Sequence, residues 1–148
     1  MEDTLAILKE YDFPASQLWI EITERCRDLP ISMIKKTVTA FREAGIHITM
    51  DDYGTGSSSS QMMLELPVEG VKIDMCFVKD ILDEKKKQAL VIGMINFANA
   101  ADLKICIEGI ENDSLESYLR QFDVTCFQGY HYSRSICQDE LMKLLIKP

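Results

Sequence analysis

Short apolar runs alternate along this chain with longer segments in which apolar residues recur at helical spacing. Runs at residues 18–23, 46–50, 70–73, 104–107 and 125–130 are rich in β-branched or aromatic side chains and predict strands. Between them, Pro30 suits a first helical turn, Ile34, Val38 and Phe41 follow on one helix face, and Gly45 closes the segment. Further helices are expected at about 86–101, 114–122 and 138–146, with a shorter one at 57–66 that Pro67 stops. Strands separated by helices at this interval must pair in parallel, because each crossover returns the chain to the same end of the sheet. The expected class is α/β.

Alternation along the strands separates two faces. Glu21 points away from Ile20 and Ile22, Lys72 away from Val71 and Ile73, and Glu108 away from Ile107. The apolar set faces helices, and the polar set (Glu21, Asp51, Asp52, Lys72, Glu108 and Gln128) collects at the C-terminal strand ends. That convergence suits the mouth of a TIM-type (β/α) barrel, whereas a doubly wound open sheet covers both strand faces with helices. A closed barrel usually takes about 250 residues. With 148 residues the chain has room for about five strand-helix units, so residues 1–148 are expected to form one domain, the C-terminal part of such a barrel.

Composition narrows the setting. The chain is 47% hydrophobic and 27% charged, as folded globular domains are. No apolar run reaches the roughly 18 residues of a membrane-spanning helix, and the first residues carry acids where a signal peptide is basic. A cytoplasmic setting is expected. With 24 acids against 16 bases, the net charge of -8 opposes loose binding to polymeric nucleic acid. The five cysteines are scattered without CxxC spacing and read as reduced, mostly buried thiols.

Glu21, Asp51, Asp52 and Glu108 would repel one another at a shared rim unless a cation joined them. Oxygen ligands select a hard ion, Mg²⁺ or Mn²⁺, and an Asp-Asp pair can serve two ions for phosphoryl chemistry. Acids that merely cap the following helices are the simpler alternative for any one of them. Lys72 follows an apolar strand and points toward the acids, which keeps it protonated. Gly54 and Gly56 give the loop after Asp52 backbone freedom, for a moving segment or for a plain tight turn. His47 is expected at the barrel floor, Trp19 in the interior, His131 at the surface, and Met62 and Met63 in the core.

Five segments, IEITE (20–24), DDYGTGSSS (51–59), VKID (71–74), IEGIE (107–111) and QGYHYS (128–133), together resemble the later signatures of the EAL domain, the cyclic di-GMP phosphodiesterase barrel. Their spacing agrees: 30 residues from Glu21 to Asp51, 21 to Lys72, 36 to Glu108, three to Glu111 and 17 to Gln128. The resemblance implies that Glu21, Asp51, Asp52 and Glu108 are metal ligands, with Asp51 bridging two Mg²⁺ or Mn²⁺ ions. It implies that Lys72 orients and activates the attacking water, that Glu24 anchors the loop beginning at Asp51, and that Glu111 and Gln128 complete the hydrogen bonding. The substrate would be cyclic di-GMP and the product the linear dinucleotide.

The chain departs from the family pattern in several places. The Glu-Ala-Leu segment and a strand-end asparagine, both expected upstream as metal ligands, are not in these 148 residues. Tyr53, Ser57 and Ser135 replace the usual phenylalanine, loop aromatic and proline. A partial barrel has open strand edges, so homo-oligomerisation or pairing with a missing N-terminal half is expected. Impaired hydrolysis by the chain alone is expected, and a non-catalytic module for sensing the dinucleotide or for protein contact is the alternative.

Overall fold

The computed structural model describes residues 1–23, 29–56 and 59–146. Five parallel strands form one sheet in the order β1-β2-β3-β4-β5. The strands are β1 (Trp19–Ile22), β2 (His47–Tyr53), β3 (Gly70–Ile73), β4 (Lys104–Ile107) and β5 (Cys126–Phe127). Helices α1 (Glu2–Glu10), α2 (Ile31–Glu43), α3 (Ser59–Glu65), α4 (Met75–Val78), α5 (Lys85–Ala100), α6 (Asp113–Leu119) and α7 (Gln138–Leu145) precede, connect and follow them. Strand order that follows chain order, with helical crossovers, is the arrangement of consecutive units in a (β/α) barrel. Among the described residues, no helix is long and apolar enough to cross a membrane.

One face of the sheet builds the core. Ile48, Met50, Val71, Ile73, Ile105 and Ile107 are buried in a cluster that takes Ile34 and Val38 from α2 and Val91, Met94, Ile95 and Ala98 from α5. Met62 and Met63 join it, as expected of core methionines. Burying each of the Val, Ile and Met side chains contributes about 1.5–3 kcal/mol, which fixes strand register. A one-residue slip would turn the apolar set onto the face that carries Glu21 and Lys72.

Differences from the sequence reading lie mostly at element ends. The pairing of β5 stops at two residues, although the apolar pattern ran over 125–130. Helices α1 and α4 were not anticipated, because their apolar positions bury little: no α1 residue is buried, and α4 buries only Val78. The expectation of mostly buried thiols is corrected. Cys76, Cys126 and Cys137 are exposed and Cys106 is half-buried, because Cys76 sits on the outer turn of α4 and Cys126 on an edge strand. Cys26 lies outside the described residues.

Gly129 places the loop after β5. A Cβ at Gly129 would lie 2.0 Å from the Ile110 carbonyl oxygen and 2.4 Å from its nitrogen, so only glycine lets this loop lie against the loop after β4. The approach is fastened by the Ile110 amide donating to Gln128 O and the His131 amide donating to Ile110 O. Gly129→Ala is expected to lower stability by about 3 kcal/mol, the upper end of ordinary overpacking, as measured by chemical denaturation. Unchanged stability would show that the two loops separate freely.

Candidate active site

The polar face of the sheet centres on Lys72, the middle of β3. Its side chain is only 9% exposed, and Nζ lies 2.5 Å from Glu108 Oε1, 3.0 Å from Glu21 Oε1 and 3.4 Å from Asp51 Oδ1. Three carboxylates from β1, β2 and the residue after β4 thus surround one ammonium. Burial alone would lower the lysine pKa, but hydrogen bonds to Glu108 and Glu21, together with the charges of Glu108 and Asp51, more than reverse this. The pKa stands above the ordinary lysine value. Lys72 is therefore a cation and a hydrogen-bond donor, and cannot accept a proton near neutrality.

A bulge sets two aspartates opposite this lysine in the strand register, and the Asp51 carboxylate reaches Nζ. Met50 pairs with Val71 and Tyr53 with Ile73, so Asp51 and Asp52 on β2 oppose the single residue Lys72 on β3. In a regular strand, consecutive side chains would face opposite ways. The irregularity is taken up at Asp52, whose φ of 54° lies in the left-handed region that Asp tolerates better than most residues. The Asp52 side chain lies beside that of Asp74. The following turn is closed by Thr55, whose amide and Oγ1 donate to Asp52 O at 3.1 and 2.9 Å. Gly54, at φ 95°, lies in the left-handed region that favours glycine, and a Cβ there would fall 2.7 Å from Met94 Cε, so that side chain would have to move.

Asp74 was missed by the sequence reading. It caps α4, accepting from the Cys76 amide at 2.7 Å. Burial would raise its pKa, but the hydrogen bonds from Cys76 outweigh that and hold it below the ordinary value. The signal was available: an Asp immediately before a short apolar helix is an N-cap pattern.

The rest of the expected set divides. Gln128, with Glu21 and Lys72, lines a cavity of about 370 Å³ whose walls include Thr49, Cys106 and Cys126. Glu111 does not line it; it is exposed and borders a separate cavity of about 230 Å³ beside α4, with Met75, Lys79 and Asp80. Glu24 and Ser57 lie outside the described residues. His47 stacks on Trp19 with ring centroids 4.5 Å apart and is hydrogen-bonded to Glu69, which also receives Arg42 Nε at 3.0 Å. Trp19 and His47 are register partners two positions before Glu21, at the floor of the polar face. Trp19 also lines the cavity, with Lys104 4.8 Å over its ring. His131, expected at the surface, is half-buried, with Nε2 3.0 Å from Glu116 Oε2.

The donors fit a hard divalent cation. Glu21, Asp51 and Glu108 supply only oxygen, they outnumber the one ammonium three to one, and the buried Asp51 Oδ1 accepts no hydrogen bond. Lys72 Nζ stands 3.4 Å from that oxygen as an ion pair without a hydrogen bond, so a closer cation would offset more of the cost of burying it.

An all-parallel unit of consecutive β/α repeats, with carboxylates and a buried lysine at its C-terminal rim, is the architecture of a barrel-type domain. The chain belongs to the EAL domain family, whose sequence profile it matches over residues 1–135. It is 27% identical over 128 residues to the cyclic di-GMP phosphodiesterase PdeR of Escherichia coli, covering 86% of this chain and 19% of that protein. Its fold superposes on the EAL domain of Mycobacterium smegmatis DcpA with a TM-score of 0.91 at 30% identity, covering 97% of this chain and 65% of the other. On the manganese and cyclic di-GMP complex of Klebsiella pneumoniae BlrP1 the TM-score is 0.76 at 26% identity, covering 83% of this chain and 31% of that one. The chain spans about a fifth of the length of the curated relatives it matches.

Lys72→Met leaves the carboxylates facing one another. Breaking a buried pair costs about 3–5 kcal/mol. Glu21 is 47% exposed and screened by water, so a loss of about 1–3 kcal/mol is expected in denaturant titrations without divalent ions. Because the Lys72 pKa is higher folded than unfolded, its contribution is complete below about pH 10 and declines as pH rises further. The stability gap between wild type and Lys72→Met should therefore stay level from pH 7 to about 10 and shrink above that. A gap that widened there would contradict the arrangement.

Proposed function

We propose that this chain carries the metal-binding rim of a cyclic di-GMP phosphodiesterase that cleaves one phosphodiester bond to give the linear dinucleotide. The observation that carries the reading is the group of Glu21, Asp51 and Glu108 around Lys72 Nζ, with Asp51 Oδ1 unsatisfied. Glu21, Asp51, Asp52 and Glu108 would hold the Mg²⁺ or Mn²⁺ ions. Bound there, the ions acidify a water and offset phosphoryl charge. Lys72 then acts through its ammonium, donating to the attacking water or to a phosphoryl oxygen and stabilising negative charge as it develops. Since that ammonium stays protonated, the water's proton passes to a carboxylate. Gln128 borders the same cavity and can hydrogen-bond substrate; Glu24 as anchor of the loop beginning at Asp51, and Glu111 as a further hydrogen-bonding group, belong to the same proposal. A cytoplasmic setting goes with this reading.

Incubation with cyclic di-GMP and Mg²⁺ or Mn²⁺, followed by chromatography, tests it. Metal-dependent formation of the linear dinucleotide is expected, slow in this chain alone, and reduced roughly 100-fold or more by Asp51→Ala or Lys72→Ala. Turnover undiminished with Glu21, Asp51 and Lys72 all replaced would overturn it.

A second reading, a non-catalytic module that binds the dinucleotide, is favoured by one observation: Lys72 already neutralises part of the acidic cluster without any ion. Calorimetric binding in the presence of a chelator, with no product formed after Mn²⁺ is added, would select it.

Among the described residues, β1 and β5 each pair on one side only. Such edges recruit further strands, either from a second copy or from more of the same barrel. Light scattering of the 148-residue chain should show association that increases with concentration. A monodisperse monomer at high concentration would exclude a second copy.

A further inference from the structure

The face that carries Lys72 also carries two adjacent thiols. Cys106 on β4 is the register partner of Cys126 on β5, and on its other side is the register partner of Lys72. Both cysteines line the cavity shared by Glu21, Lys72 and Gln128. Their side chains are neighbours across the two strands, and both thiols are free. Cys126 is exposed on the edge strand, and Cys106 is half-buried beside it.

We propose that Cys106 and Cys126 form a modification site, a dithiol that low-molecular-weight disulfides of the glutathione type convert to a cross-strand disulfide. Neighbouring strands lie about 4.8 Å apart, and disulfides accept Cα separations of about 4.4–6.8 Å, so in-register partners can be joined with little backbone movement. The exposed Cys126 sulfur attacks one sulfur of the small disulfide, forming a mixed disulfide and releasing one small thiol that takes the Cys126 proton. Cys106 then attacks the Cys126 sulfur, expelling the second small thiol, which takes the Cys106 proton. The protein dithiol loses two electrons and two protons, and the small disulfide gains them. Burial of Cys106 makes the second attack the slower one. The separation of adjacent strands is below the commonest disulfide spacing of about 5.5–6 Å, and such bonds are the more easily reduced, so the site is reversible. The bond would tie β4 to β5 one step below Glu108 and Gln128, beside Lys72. The inference does not depend on the phosphodiesterase reading, since its test measures no activity.

The full chain is treated with oxidised glutathione, remaining thiols are alkylated, and tryptic fragments are weighed without reductant. Cleavage after Lys104, Arg120 and Arg134 places Cys106 in fragment 105–120 and Cys126 in fragment 121–134. The expected product joins these two fragments at a mass two hydrogens below their sum, and a dithiol reductant separates them. In Cys126→Ser the linked fragment disappears. The inference is overturned if wild-type Cys126 retains glutathione while Cys106 is alkylated, or if either residue links instead to Cys76 or Cys137.

Discussion

Everything at the rim depends on one electrostatic constraint: carboxylates from separate strands share a partly buried space, and a single ammonium stands among them. Two unit charges about 4 Å apart interact by roughly 4 kcal/mol at the effective dielectric of a protein surface, so the carboxylates cannot be left to one another. Lys72 relieves part of the repulsion, with Glu108 at 2.5 Å and Glu21 at 3.0 Å. It does not satisfy Asp51 Oδ1, which remains without a hydrogen bond. One ammonium against three carboxylates leaves two negative charges over, and a divalent cation is the natural remainder.

The fold supplies what that constraint demands. Parallel strands bring all their C-terminal ends to one side, and the apolar core on the opposite face, with Ile48, Ile73 and Ile107 fully buried, fixes which side chains reach the rim. The bulge in β2 then presents two aspartates against one lysine. Asp74 ties this irregular backbone to α4 through its contacts with Asp52 and the Cys76 amide. Below the rim, the stacked Trp19 and His47, with Glu69 and Arg42, close the polar face with their own paired charges.

Much of this was legible in the amino-acid order. Period-two alternation around Glu21, Lys72 and Glu108 put those residues on the polar face, and β3 and β4 run over the residues expected. The five ordered segments pointed to the family that the chain matches over residues 1–135. The bulge was not legible, because it depends on the registers of β2 and β3 and on a left-handed Asp52, neither of which has a local pattern. The two-residue length of β5 depends on where its neighbour ends. Glu111 was placed with the site through its motif alone, and it borders another cavity. The contact of Cys106 with Cys126 was hidden for the same reason as the bulge: 20 residues separate them, and only strand register makes them neighbours.

A crystal soaked in Mn²⁺ and measured at the manganese absorption edge tests the central claim most directly. The account predicts an anomalous peak within about 2.5 Å of Asp51 Oδ1, with Glu21 or Glu108 as a further ligand. Manganese bound only elsewhere, with the Lys72 ion pairs unchanged, would contradict it.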